Sequence, residues 1–465
     1  MAMLIEQCGS RLLLRVLTGL WLAGGFAGVP TLRAADWPRL GGPEGAGLSS
    51  ETGLARAWPT EGPRVLWSAE VGEGFAGPAV YDGQVFLLDR IEDKRDVLRC
   101  RDLESGIELW QVAYDAPGRL PYNGSRNVPT VDERYIFTVG PLGHVHCLDR
   151  RSHQILWAAH LVDDFKDPGI DTAEVPETRE QKLARAQVPM WGLTQAPLLY
   201  RDTVILAPQT QKTGLVAYEK ATGRIRWRTG YVGRNWYSHV SPYLATLGGA
   251  EQVILLAQPG DPEKSPAQAP PALITAVEAA TGLILWTNAT PGPYKIPIPQ
   301  PLRVADDRLF ITGGFGIGGV MFQVARHEGK WESKVAFQTR AAAGFIHSPV
   351  LYQERIYVMS FKEHGGKNTG LTCLSLTGEA IWQTGPARQF DSGALLIADR
   401  MALVMHGKTG ELHLFDLLPD GATLLAKSKV LEARNNMVWA PMALSRGKLL
   451  VRDQHQIKCL DLKRP

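Results

Sequence analysis

Aromatic residues punctuate this chain, and each travels with polar company. Phe75, Tyr122, Trp191, Trp236 with Tyr237, Tyr294, Phe345, Phe390 and Trp439 each stand a few residues ahead of a short apolar run, most of these runs led by proline. Arg126, Asn127, Gln195, His239, Gln300, His347, Asp391, Asn435 and Asn436 lie in the same stretches. Flat rings offer stacking faces, and a few polar groups among them fix a ligand's orientation. The chemistry this points to is recognition, with Trp236 and Trp439 as stacking platforms and His239, His347 and Arg126 setting polarity. A second reading stays open: a ring of aromatics that plugs a channel while the polar groups hold water.

Catalytic signatures are missing by comparison. Hydrolysis of the two-carboxylate type needs an opposed acid pair, and no such pair stands out. No Gly-x-Ser-x-Gly elbow and no phosphate loop is visible. Residues 313–319 are rich in glycine. They follow the apolar run Leu309-Phe310-Ile311 and lead into another strand, not a helix, so they read as a hairpin connection. No Cys-x-x-Cys occurs, which disfavours a zinc knuckle and covalently held haem. No residue is assigned a catalytic or metal-binding role.

Fixed spacing identifies the elements that carry these loops. A small residue and a tryptophan stand ten apart in four places: Cys100 and Trp110, Cys147 and Trp157, Ala217 and Trp227, Ala276 and Trp286. Cys373 and Trp382 form a fifth pair, one residue tighter. In three of these pairs an acid and then a Ser-Gly or Thr-Gly step lie between: Asp102 and Ser105-Gly106, Glu219 and Thr222-Gly223, Glu278 and Thr281-Gly282. Upstream of each small residue come an apolar run, a turn such as Asp82-Gly83, and a second run. Glycine accepts the positive φ of tight hairpin turns, so each unit of about fifty residues reads as four antiparallel strands, A to D.

Strands A begin near Pro78, Pro129, Pro197, Pro242, Pro301, Pro349, Ser392 and Pro441, which makes eight copies. The fifth and seventh are degenerate, with Phe337 in the Trp place of one and Leu414-Phe415-Asp416 in the Cys-x-Asp place of the other. The eighth ends at Cys459-Leu460-Asp461-Leu462 without a strand D, whereas Val65-Leu66-Trp67 is a strand D with nothing before it. Placing that strand in the last unit closes a ring and protects two sheet edges. The expected fold is all-β, an eight-bladed β-propeller of four-stranded blades with a clasp between its ends. A WD-type propeller is excluded, since no repeat Trp is followed by Asp.

In A-B-C-D order the D-to-A and B-to-C connections share one face, and the larger insertions fall there: 163–190, with a possible short helix over 177–186, then 259–271 and 362–370. Binding of a small molecule or a protein is therefore assigned to that face.

Composition narrows the partners. The chain is 45% hydrophobic and 21% charged with a net charge of +3, and no basic run is interleaved with aromatics. A nucleic-acid partner is not expected. Arg11 and Arg15 precede an apolar stretch over 16–29, which leads to Arg33-Ala34-Ala35. This pattern reads as a signal peptide cut near Ala34 or Ala35, leaving no membrane span and placing the chain in the periplasm or outside the cell, with a retained membrane anchor as the alternative. The expected organisation is a signal peptide over 1–35, an extension over 36–64 and one propeller over 65–465, acting as a monomer. Cys100, Cys147, Cys373 and Cys459 share one strand C position, filled elsewhere by alanine. They read as buried free thiols in a slot for small side chains.

The motif small-x-Asp/Glu-x-x-Thr/Ser-Gly-x-x-x-Trp resembles the repeat of the pyrroloquinoline-quinone-like (PQQ-like) propellers. That group includes quinoprotein alcohol dehydrogenases and the propeller of the outer-membrane barrel assembly machinery. The opening Asp36-Trp37-Pro38-Arg39-Leu40-Gly41-Gly42-Pro43 is similar to the start of exported bacterial members. The resemblance implies that Trp67, Trp110, Trp157, Trp227, Trp286 and Trp382 are scaffold, covering the seams between blades. For a quinoprotein it also implies two adjacent cysteines against the cofactor and a Glu, Asn and Asp triad for a calcium ion, neither of which aligns here. The expectation is a binding module without cofactor. The alternatives are a PQQ- and calcium-dependent dehydrogenase and a scaffold in outer-membrane protein assembly.

Overall fold

A computed structural model describes residues 36–166, 188–189, 191–233, 239–258, 271–294, 296–314, 317–360, 369–388 and 390–463. The leader, the 177–186 helix, Trp236, Tyr237 and most of the three long insertions lie outside these residues. The described chain forms eight four-stranded antiparallel sheets. Blade 1 shows the pattern, with strands Ala79–Tyr81, Gln84–Ile91, Arg95–Asp102 and Glu108–Asp115 in spatial order. Seven blades repeat this order. The eighth joins Ala443–Ser445, Lys448–Arg452 and Gln456–Asp461 to Val65–Glu70, so the first strand of the propeller completes its last blade. The fold is the expected eight-bladed β-propeller with its clasp. No described helix is long and apolar enough to cross a membrane.

The ten-residue spacing has a simple origin. The small residue and the Trp are cross-strand partners: Cys100 faces Trp110, Cys147 faces Trp157, Ala217 faces Trp227 and Ala276 faces Trp286. Cys459 faces Trp67 across the clasp. A ring this large beside a buried strand C leaves room for only a small opposite number. The degenerate blades keep the pairing with other volumes. Met321 faces Phe337 in blade 5, and in blade 7 the sizes are exchanged, Leu414 facing Ala426. The four cysteines are free and fully buried, and burial pushes the thiols of Cys100, Cys147 and Cys459 up to about 12.

Each Trp then leans on the next blade. A Cβ on Gly106 of blade 1 would stand 2.4 Å from the Trp67 ring of blade 8. Gly223 meets Trp157, Gly282 meets Trp227 and Gly378 meets Phe337 in the same way, at 2.7, 2.4 and 2.3 Å. Blade 2 has His153 where the others have glycine, and there Trp110 stacks on the imidazole at 4.3 Å between centroids. The turn glycine therefore serves two ends: it takes the positive φ and it clears a seat for the neighbouring ring. The acid of the motif fixes the same turn. Asp102 accepts from the backbone and hydroxyl of Ser105, and Glu219 and Glu278 accept from Thr222 and Thr281.

The segment ahead of the clasp crosses the turn face of the ring. Trp37 exchanges two backbone hydrogen bonds with Val80 of blade 1, and the Pro38 carbonyl accepts from Val131 of blade 2. Gly47 and Ser49 bond to Ile397 of blade 7, and the Glu51 carboxylate caps the A–B turn of blade 8 at Arg446 and Gly447. All four attachments lie on innermost strands or their A–B turns. Gly47 also lies against Val350 of blade 6, and the Arg39 and Glu44 charges act on Tyr243 of blade 4, so residues 36–51 reach across the axial end opposite the loop face as a stopper. Trp37 is 2% exposed, and a Cβ on Gly42 would stand 2.8 Å from its ring.

Candidate functional site

The D-to-A loops gather at the other axial end, and their backbones lock together first. Gly74 and Ser125 form a parallel bridge between the first two loops, and the Phe75 N–H donates to the Ser125 carbonyl. A Cβ on Gly124 would stand 1.9 Å from the Glu73 carbonyl oxygen, so only glycine fits that crossing. Gln454, from blade 8, clamps Gly74 through both its N–H and its carbonyl, at 3.1 Å each, and reaches the Met437 carbonyl at 3.2 Å.

Three rings close over this scaffold. Phe75 stacks on Trp439 with centroids 5.3 Å apart, Tyr122 meets Phe75 edge-on at 6.4 Å, and Tyr122 lies 5.9 Å from Trp439. Tyr122 is 43% exposed. Arg126 sits against the same cluster, its guanidinium 5.5 Å from the Phe75 ring centre. Its N–H groups donate to the carbonyls of Trp191, Gly124 and Tyr122. Trp191 in turn lies 5.4 Å from His239, which is buried with neither ring nitrogen hydrogen-bonded. Burial first, and the Arg126 charge second, lower the His239 pKa to about 3. His347 is held down to about 4 by burial, and its Nε2 also lacks a partner.

The remaining sequence candidates fall in other settings. Asn127 donates to the carbonyls of Val139 and Leu193, and Gln195 bonds both the N–H and the carbonyl of Ala207. These two amides tie loop to blade. Asp391 is paired with Lys408 at 3.0 Å and lies 3.7 Å from His406. Asn435 and Asn436 are exposed and, like the buried Ala433 beside them, left-handed in backbone conformation, and the Asp453 carboxylate accepts from the Ala433 N–H at this bend. Among the described aromatics of these loops, Tyr294 and Phe390 turn into the seams instead of the mouth. Tyr294 is fully buried, donates to the Thr312 carbonyl and fills the space over Gly313, while Phe390 packs edge-on to Phe415 and His413. Trp236 lies outside the described residues.

Sequence reasoning passed over Ser125 and Gln454, and it named Asn435 and Asn436 as polar groups without the left-handed bend they belong to. Nothing in the types of the first two marks them. They matter through backbone geometry, which spacing alone does not display.

The acids near this face are engaged. Asp391 has its lysine and histidine, and Glu73 accepts from Asn123 at 3.1 Å. Among the described residues no three His, Cys, Asp or Glu side chains are grouped to hold a metal ion.

Comparison with known proteins places the fold. No curated protein sequence matches the chain. Among solved structures, a europium-containing methanol dehydrogenase superposes with a TM-score of 0.61 at 13% identity, covering 90% of this chain and 89% of that one. The quinohemoprotein alcohol dehydrogenase of Comamonas testosteroni gives 0.60 at 12%, covering 93% and 81%. BamB from Moraxella catarrhalis gives 0.53 at 12%, covering 86% and 98%. At such identities the likeness concerns fold alone. The family model described as outer membrane protein assembly factor BamB matches residues 93–233 and 270–460. That is more than half of the chain, and with the repeat seen in every blade it means that the chain belongs to this PQQ-like β-propeller family.

Proposed function

We propose that this propeller is an exported, non-catalytic binding module that takes a small molecule or a partner segment at its loop face, over the Phe75, Tyr122 and Trp439 rings. The observation that carries the reading is the exposed aromatic cluster set beside polar groups with no partner of their own, His239 above all. A buried polar atom without a protein partner calls for a ligand, an ion or a water to satisfy it. The stopper at the opposite axial end leaves the loop face as the way in. Export rests on the pattern of the first 35 residues.

A calcium-bound quinone would need oxygen donors free at this face, and the described acids there are engaged. This supports a reading without that cofactor. The test is titration of the purified mature chain with the quinone and calcium, followed by addition of an alcohol and an artificial electron acceptor. No uptake and no dye reduction is expected. Stoichiometric uptake with dye reduction, lost in Trp439→Ala, would replace the binding module with a dehydrogenase.

A further inference from the structure

Arg126 is a half-buried cation with no carboxylate bonded to it among the described residues. The two arginines that are deeply buried among the described residues have acids beside them: Arg90 pairs with Asp96 at 2.6 Å, and Arg452 has Asp89 and Asp453 as neighbours. Around Arg126 the partners are three backbone carbonyls and the Phe75 ring, and the charge that acts on it is a like one, Arg90. Carbonyls satisfy N–H geometry but carry no net charge, so an anionic partner would add charge-assisted hydrogen bonds that they do not supply. Burial lowers the Arg126 pKa to about 9, which still leaves it charged at neutral pH. A guanidinium has five N–H donors, and three are committed to the carbonyls.

His239 supplies the second half. It is 7% exposed, and both of its nitrogens lack partners. It reaches Arg126 through Trp191, whose ring it touches and whose carbonyl the guanidinium holds. A neutral imidazole offers one N–H to an acceptor. The two loops therefore bring together a fork with donors to spare and a further buried donor, beside an apolar aromatic wall.

We propose that Arg126 and His239 form an oxyanion subsite beside the aromatic mouth, which takes the carboxylate or phosphate group of a ligand whose apolar part lies against Tyr122 and Trp439. The inference rests on the loop-face binding reading above. An oxyanion neutralises the Arg126 charge and accepts from the free N–H groups, in hydrogen bonds stronger than those a neutral group can make. A neutral ligand of the same shape leaves the charge uncompensated. The expected discrimination is about tenfold or more in affinity.

The experiment is calorimetric titration of the mature chain with benzoate, phenyl phosphate and benzamide at constant ionic strength. All three carry the same ring, so only the polar group differs. Saturable binding of benzoate, phenyl phosphate or both, with benzamide at least about tenfold weaker, is expected. Benzoate alone would assign a carboxylate and phenyl phosphate alone a phosphate ester. Arg126→Gln should abolish the preference, and His239→Asn should weaken the anion several-fold. Because Arg126 also ties loop carbonyls, circular dichroism and melting check each variant. His239→Asn, which removes a ring with no hydrogen bond of its own, carries the test if Arg126→Gln does not fold. Equal affinity for benzamide, or anion binding unchanged in the folded variants, overturns the subsite. Ring binding that is blind to charge but lost in Trp439→Ala would leave the loop-face reading standing while removing this one. Failure of both anions to bind at about 10 mM also overturns it.

Discussion

Gly106 carries two demands at one residue. Its φ is +71°, and the Trp67 ring occupies the place of its missing Cβ. An alanine there would meet the left-handed penalty of about 1–2 kcal/mol and would also push the ring off its seat, an overpacking cost of about 1–3 kcal/mol. Gly106→Ala should therefore lose about 2–4 kcal/mol in urea unfolding. Trp67 joins the clasp to blade 1, so the loss falls on the closure. Unchanged stability would mean that the ring relocates freely and that the seat is not needed. This level of detail was half legible in sequence. The spacing of Cys100 and Trp110 marked them as scaffold, and their opposition across strands C and D gives the reason. Asn127, Gln195, Tyr294 and Phe390 show the limit. Residue type announces a polar or aromatic loop side chain, but the turn of the loop decides whether it faces the mouth or the blade.

At the scale of elements, closure has two parts. Strand Val65–Glu70 completes the last blade by pairing with Gln456–Asp461. Residues 36–51 tie the inner strands or turns of blades 1, 2, 7 and 8 across the axis. The clasp was legible, because an orphan strand D at one end answered a missing strand D at the other. The stopper was not, since Trp37 and its glycines have no repeat to be compared with. The two parts should separate by deletion. Removing residues 36–49 while keeping the strand takes away the buried Trp37, a loss of about 3–5 kcal/mol, and should leave a folded ring that unfolds at lower denaturant. Removing everything to Gly72 also opens a sheet edge and should give aggregation. Equal stability of the first variant and the intact mature chain would show that residues 36–49 add nothing to closure.

At the scale of the whole molecule, burial of histidine sets the pH response. His144, His146, His347 and His413 are lowered to about 4 and His239 to about 3, burial being the first cause in each. The rings lie in separate places: His144 and His146 beside Tyr114, at 6.1 and 3.8 Å, His413 in the seam with Phe390, and His239 and His347 at the mouth. In the unfolded chain each takes a proton near 6.5. The unfolded state therefore gains protons first as pH falls, and stability is full above about 6.5 and is lost toward 4. Each such proton contributes a slope of about 1.4 kcal/mol per pH unit. One buried acid works the other way. Asp96 is raised to about 6, chiefly by burial, so the folded state holds its proton between about 4 and 6 and offsets one histidine over that range. The net expectation is a steep loss of stability between pH 6.5 and 4, read as the shift of the urea midpoint. His144→Asn and His413→Asn should flatten it from different blades, with effects that add, because the sites share no contact. A midpoint that stays level from pH 7 to 5 would mean that these imidazoles reach water in the folded ring and titrate there as they do in the unfolded chain.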